Sequence, residues 1–222
     1  YARGRNLHKC AQKVVSDHDG IFPDSVEGLC ELPGIGRSTA GAICSIAYQK
    51  STAILDGNVK RVLARHHAVE GWPGVSSVQK ILWDIAEQYT PEKRCNHYTQ
   101  AIMDLGATLC TRSKPQCEVC PMSETCQAYA EGKQKEFPGS KPKKDKPSKS
   151  TQLLMIRNPQ GEILLQQRPE QGIWGGLWSF PELALDQSPE AFCEAQFPSA
   201  RELERWDSYR HTFSHYHLDI TP

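Results

Sequence analysis

Four cysteines fall within seventeen residues, at Cys110, Cys117, Cys120 and Cys126, separated by gaps of six, two and five residues. At that density they read as a metal site rather than as four unrelated buried cysteines. One Cys-x-x-Cys step sits between two single cysteines, whereas structural zinc usually takes two such steps set well apart. Four thiolates in one compact loop can wrap a cube of iron and sulfide, one ligand per iron. Zinc is the alternative, because thiolate suits both metals. The chain carries nine cysteines, an odd number and unevenly spread. That pattern speaks against a secreted disulfide scaffold and for a metal site in a reducing compartment. The other five, Cys10, Cys30, Cys44, Cys95 and Cys193, read as ordinary buried or half-buried residues.

Between the first two cysteines lie Arg112, Ser113 and Lys114. Metal bonds would pin this loop and present Arg112 and Lys114 as phosphate contacts on a rigid support. The metal's expected role is structural.

Net charge is zero but unevenly placed. Residues 1–132 balance 14 basic against 14 acidic side chains. Residues 133–150 carry seven lysines against Glu136 and Asp145, and residues 151–222 carry five arginines against ten acids. Nucleic acid, if it is the partner, must be held by local patches. No apolar run is long enough for a membrane span.

Residues 1–132 read as helical. Leu7, Ala11, Val14 and Val15 recur at helical spacing, as do Val78, Ile81, Leu82 and Ile85, then Tyr98, Ala101, Ile102 and Leu105. Residues 133–150 read as an extended, solvated linker, because lysine, proline and serine cannot build a core, with helping to hold DNA phosphate as the alternative. From residue 151 the texture is β-rich. TQLLMIR and EILLQQR flank a hairpin signal at Asn158-Pro159-Gln160-Gly161, and FSHYHLDI alternates near the end. A domain of about 70 residues that stops on a strand reads as cut short. The fold expected is α+β multidomain: an all-helical domain over 1–132 with its metal loop at 110–126, a linker over 133–150, and a small α/β domain over 151–222.

Two further stretches carry chemistry. In LPGIGRSTAGAI, Gly34, Ile35 and Gly36 form a tight turn whose bare backbone N–H groups can meet a phosphate. Ser38 and Thr39 then open a helix whose N-terminus favours an anion. This helix–hairpin–helix would grip DNA without reading its sequence. In ILDGNVKRV, Asp56 precedes a helix. Its plain role is an N-cap. Its functional role would be a carboxylate facing an oxocarbenium-like sugar during glycosidic cleavage. Such chemistry also needs a general acid.

These stretches together resemble the helix–hairpin–helix DNA glycosylases with a [4Fe–4S] cluster. DGNVKRV, MDLGATLCTRSKPQCEVCP, QQRPEQGIWGGLWSFP and RHTFSHYHLDI resemble the adenine DNA glycosylases, the MutY family, over essentially the whole chain. The resemblance implies removal of adenine paired with 8-oxoguanine, or with guanine, in double-stranded DNA, with the adenine flipped out of the stack. It implies Asp56 as the catalytic aspartate, Asn58 as its support and the four cysteines as cluster ligands. Ser38 stands where the related endonuclease III branch has a lysine. A serine has no amine for a Schiff base, so the expected enzyme is monofunctional. The last domain resembles the family's Nudix-like domain. It lacks the R-E-x-x-E-E pattern that holds magnesium, so pyrophosphate hydrolysis is not expected. Phe213, Ser214 and His215 match the loop that senses 8-oxoguanine. A monomer in the bacterial cytoplasm, on the nucleoid through DNA, completes what the resemblance implies.

Family members have a helical segment before the equivalent of Tyr1, bearing the glutamate that protonates adenine. The expectation is that these 222 residues alone are inactive or nearly so, and marginally stable. Two other readings stand beside this one: a fragment that holds lesion DNA without cutting, and an endonuclease III-like glycosylase/lyase. Ser38 and the C-terminal domain count against the latter.

Overall fold

The computed structural model describes residues 2–142, 145–172, 174–198 and 203–222. They form two compact units, one over Ala2–Pro142 and the other over the described residues that follow. Among the described residues no helix is long and apolar enough to cross a membrane.

The first unit is helical: α1 (Ala2–Asp17), α2 (Val26–Cys30), α3 (Arg37–Tyr48), α4 (Gly57–His66), α5 (Ser76–Tyr89), α6 (Cys95–Asp104) and the short α7 (Gln127–Ala130). Two cores hold it. Cys10, Val14, Leu29, Leu32, Ala40 and Cys44 join α1, α2 and α3. Ile54, Leu55, Val59, Val62, Leu63, Leu82 and Ile102 join α4, α5 and α6 to the extended run before α4. Between α3 and α6 the fully buried Ser45 and Thr99 hydroxyls bond each other at 2.8 Å, so neither is left unpaired.

The apolar faces differ in part from the sequence reading. On α1, Cys10 and Val14 are buried, while Leu7 and Val15 are more than two-thirds exposed and Ala11 also faces out. On α5, Leu82 and Ala86 are buried and Ile81 is half exposed. Apolar spacing finds a helix but not which apolar stripe the neighbouring helices will cover. Among the other cysteines, Cys10, Cys44 and Cys95 are buried and Cys193 half-buried, but Cys30, at the end of α2, is exposed.

The tether expected over 133–150 is shorter than its composition suggests. Its first ten residues pack on the helical unit: the Gly139 amide donates to the Gly71 carbonyl at 3.0 Å, and Lys141 lies over the Trp72 ring at 5.5 Å. Gly139 permits this approach, since a Cβ there would sit 2.7 Å from the Gly71 backbone. Its last three residues belong to a strand. Backbone bonds and a cation–π contact hold the segment where its side chains could form no core.

The second unit has a four-stranded sheet in the order β4-β1-β6-β5, from β1 (Ser148–Leu153), β4 (Glu182–Leu183), β5 (Tyr209–Thr212) and β6 (His217–Thr221). β2 (Gln166–Gln167) and β3 (Trp178–Ser179) pair separately. β1 runs parallel to β6, with Thr151 opposite Ile220. The helix α8 (Pro189–Gln196) starts on a Ser188 cap, with proline in its first turn. The expected hairpin closes at Asn158, whose amide oxygen accepts from the Gln160 and Glu162 amides. Its arms, however, pair only at points such as Arg157 with Ile163, and Ile163 and Leu165 are about half exposed. The Asn158-Pro159-Gln160-Gly161 signal holds for the turn, but the runs beside it pair less than their β-rich texture predicts.

Candidate active site and metal centre

α4 carries the site from end to end. Asp56 caps it: Oδ1 accepts from the Asn58 and Val59 amides at 2.9 and 2.8 Å. The N-cap role thus holds, and it also fixes the carboxylate. Among the described residues Oδ2 has no hydrogen-bond partner. Ser38, in the first turn of α3, accepts from the Leu55 amide at 3.0 Å. It is therefore tied to the backbone one residue before Asp56. α3 can lie this close to residues 51–55 because Gly41 faces the Ala53 carbonyl, where any Cβ would collide.

Asn58 is placed by two residues that the sequence reading did not single out. Arg61, one turn along α4, donates from Nη2 to Asn58 Oδ1 at 2.9 Å and to the Gly106 carbonyl at 2.5 Å. Its Nε donates to the Cys110 carbonyl at 2.7 Å. Gly106 sits in a π-helical turn, Leu105–Leu109, that continues α6 up to Cys110. Here too side-chain volume is excluded: a Cβ on Gly106 would lie 2.7 Å from Asn58 Cβ. Local widening of this kind is frequent at functional sites. The signal that could have found Arg61 is its spacing: Asn58 and Arg61 are three apart on one helix face.

At the other end of α4, Arg65 is 3 % exposed. Its guanidinium donates to Cys110 Sγ at 3.3 Å and to the carbonyls of Thr111, Arg112 and Phe137 at 2.7, 3.0 and 2.9 Å. Three acceptors from the loop and one from the segment after it satisfy a cation that could not otherwise be buried. Burying the stem costs little, since the fork arrives already planar and matched to its carbonyls.

The four sequence-predicted cysteines come together. Cys110, Cys117, Cys120 and Cys126 line one cavity with Val62, Leu105, Leu109, Pro115 and Met122. Among the described residues no three His, Cys, Asp or Glu side chains converge as a single ion requires. The sulfurs instead surround a space. Gln134 also lines it, and its Oε1 is buried with no hydrogen-bond partner. The two amide ends are interchangeable, so its NH₂ can equally face an acceptor such as sulfide. Burial pushes the Cys117 and Cys126 thiols up. A bound cationic centre reverses that, because thiolate is the ligand form. Donor set, apolar lining and orphaned amide all fit an iron–sulfur cluster.

Of the expected phosphate contacts, Gly34, Gly36, Thr39, Arg112 and Lys114 are exposed. Ile35 is half-buried and packs on the first core, so its part in the hairpin is through its backbone. Gly34 has φ +82° and faces Asn6, a place no other residue takes without strain. Gly36 caps α3 in extended conformation with no side-chain bond. The loop of Arg112 and Lys114 is held from beneath by Arg65. In the second unit, Phe213, Ser214 and His215 form the turn between β5 and β6, closed by the Phe213 amide on the Tyr216 carbonyl at 2.9 Å.

Three family models match: the helix-hairpin-helix motif over residues 17–46, the iron-sulfur binding domain of endonuclease III over 110–126, and the NUDIX domain over 152–222. The adenine DNA glycosylase of Buchnera aphidicola subsp. Acyrthosiphon pisum is 36% identical over 222 residues, all of this chain. The adenine DNA glycosylase of Homo sapiens is 32% identical over 98% of it. Over essentially its whole length the chain is similar to adenine DNA glycosylases. It spans 63% of the length of the Buchnera member and 50% of the human one. Its helical fold is also that of endonuclease III, solved in a non-covalent complex with DNA, at a TM-score of 0.50 and 24% identity over 59% of each chain. The iron–sulfur binding domain and the NUDIX domain are matched on one chain.

Proposed function

We propose that this chain provides the active centre of a monofunctional glycosylase that removes adenine opposite 8-oxoguanine, or opposite guanine, from duplex DNA. The single observation that carries the reading is the Asp56 carboxylate. One oxygen is fixed by two amides and the other has no partner among the described residues. A carboxylate so held is preorganised to face positive charge. As the N-glycosidic bond breaks, its electron pair leaves with adenine and the sugar becomes oxocarbenium-like. Asp56 stabilises that cation until water adds to it. Adenine leaves as the neutral base after gaining a proton from a general acid.

Asn58 and Arg61 keep the site aligned, and Ser38 holds the backbone before Asp56. Since the Ser38 hydroxyl is engaged by the Leu55 amide and carries no amine, the strand itself is left uncut. The [4Fe–4S] cluster would be held by Cys110, Cys117, Cys120 and Cys126, and would supply a rigid loop rather than redox chemistry. Gly34, Ile35, Gly36 and Thr39, with Arg112 and Lys114, would bind phosphates, and Phe213, Ser214 and His215 would read 8-oxoguanine. We take the protein to act as a monomer on DNA.

The test is single-turnover adenine release by the protein as the cell makes it. Release from an adenine·8-oxoguanine duplex, absent in Asp56→Asn, is the expected result. A covalent protein–DNA adduct trapped by borohydride would overturn the monofunctional reading. Absence of release from folded, iron-loaded protein would overturn the glycosylase reading.

A further inference from the structure

The described lysines of residues 133–150 do not act as one tether. Lys141 is docked on the helical unit, whereas Lys146 and Lys149 sit in the second unit, around the β5–β6 turn. The Lys146 ammonium donates to the Phe213 carbonyl at 2.8 Å. The Lys149 ammonium lies over the Tyr216 ring, 5.2 Å from its centroid. Both lysines are exposed. The parallel β1–β6 ladder sets this position, with Ser148 opposite His217 and Lys149 opposite Leu218.

The turn they flank is aromatic. Phe213 stacks on Tyr216 at 4.7 Å between centroids, and Trp174 and His211 meet it edge-on at 5.2 and 4.4 Å. Trp174 is half exposed, and Ser214 and His215 are exposed. Aromatic faces beside ammonium groups are the arrangement that holds a nucleic-acid strand, with stacking on bases and cations on the backbone. Residues 151–222 contain five arginines against ten acids, and among the described ones Arg168, Arg205 and Arg210 are already paired with Glu182, Glu190 and Asp219. An ammonium that donates one bond, or that lies over a ring, still has donors to offer.

We propose that Lys146 and Lys149 are phosphate contacts for the DNA strand whose base is read by the Phe213–His215 turn. This rests on the lesion-reading role proposed above. The partner is a phosphodiester backbone, and the two lysines bind it without regard to sequence while the turn selects the base.

The experiment measures affinity against salt concentration for the whole protein, on an undamaged duplex and on one containing a single adenine·8-oxoguanine pair. In Lys146→Ala/Lys149→Ala the slope of log affinity against log salt should flatten on both duplexes by about 1.8, from about 0.9 per lost phosphate contact. The preference for the lesion should persist. Lys146→Arg/Lys149→Arg should keep the original slope, because charge is retained. Phe213→Ala should lose lesion preference and keep the slope. An unchanged slope in the double alanine variant would overturn the proposal, and so would a flattened slope in the double arginine variant. Equal wild-type affinity for the two duplexes would instead remove the lesion-reading role, and the slopes would still decide the lysines.

Discussion

The Arg61 guanidinium joins Asn58 Oδ1, 2.9 Å from Nη2, to the carbonyl of Cys110, 2.7 Å from Nε. One side chain therefore touches both the residue beside the candidate catalytic aspartate and the first cysteine of the iron–sulfur loop. Losing a supporting contact of this kind typically costs about 10–100-fold in metal affinity or activity. Arg61→Gln should fold, retain the Asp56 cap and lose adenine release by about that factor. Single-turnover rates beside a circular-dichroism melt check it. An unchanged rate would show that the bridge is only structural.

Asp56 has two roles that substitution can separate. Asparagine caps helices about as well as aspartate, so Asp56→Asn should shift stability by only a few tenths of a kcal/mol. Asp56→Ala removes the cap and should cost about 1 kcal/mol. Both should abolish adenine release. Equal melting of the two variants would argue that the cap contributes nothing.

Arg65 leaves three main-chain carbonyls without donors when it is removed. At about 1–3 kcal/mol for each unsatisfied buried group, Arg65→Met should cost about 3 kcal/mol or more. The first consequence should be in the loop. Iron content and the visible absorbance of the cluster should fall while far-ultraviolet signals from α1, α2 and α3 persist. Full iron occupancy in Arg65→Met would place the loop's stability elsewhere.

Gly106→Ala puts a methyl group 2.7 Å from Asn58 Cβ. The π-turn must then move away from α4, at about 1–3 kcal/mol. Loss of activity should exceed that of Gly4→Ala, whose added Cβ meets nothing within 4 Å. Comparable behaviour of the two variants would contradict close packing of Gly106 on Asn58.

Glu190 titrates low. The Ser188 hydroxyl and the Arg205 guanidinium hold its carboxyl down, from 4.5 to about 2. A depressed carboxylate contributes stability above its unfolded value, and that contribution is lost as pH falls through the folded one. The window is therefore about pH 4.5 to 2. The side-chain carbonyl carbon of Glu190, followed by NMR, should titrate near 2 and move towards 4.5 in Arg205→Ala. A wild-type midpoint near 4.5 would exclude the ion pair.

The sequence by itself determined the parts whose chemistry is local. Cysteine spacing marks a metal loop, because ligands a few residues apart must share one site. Asp56 before a helix and glycines at 34 and 36 mark a cap and a turn, because φ/ψ and orphan amides act within a few residues. The tertiary structure decided what depends on distant neighbours. It selected Cys10 and Val14 rather than Leu7, Ala11 and Val15 as the buried face of α1. It divided a lysine-rich stretch between two units, since backbone partners such as Gly71 and β6 are invisible to composition. It also showed that Arg61 and Arg65, two more cations on a helix by sequence, turn inward. A guanidinium can be buried only where carbonyls from residues 45 to 72 positions away converge on it, and only the folded chain brings them together.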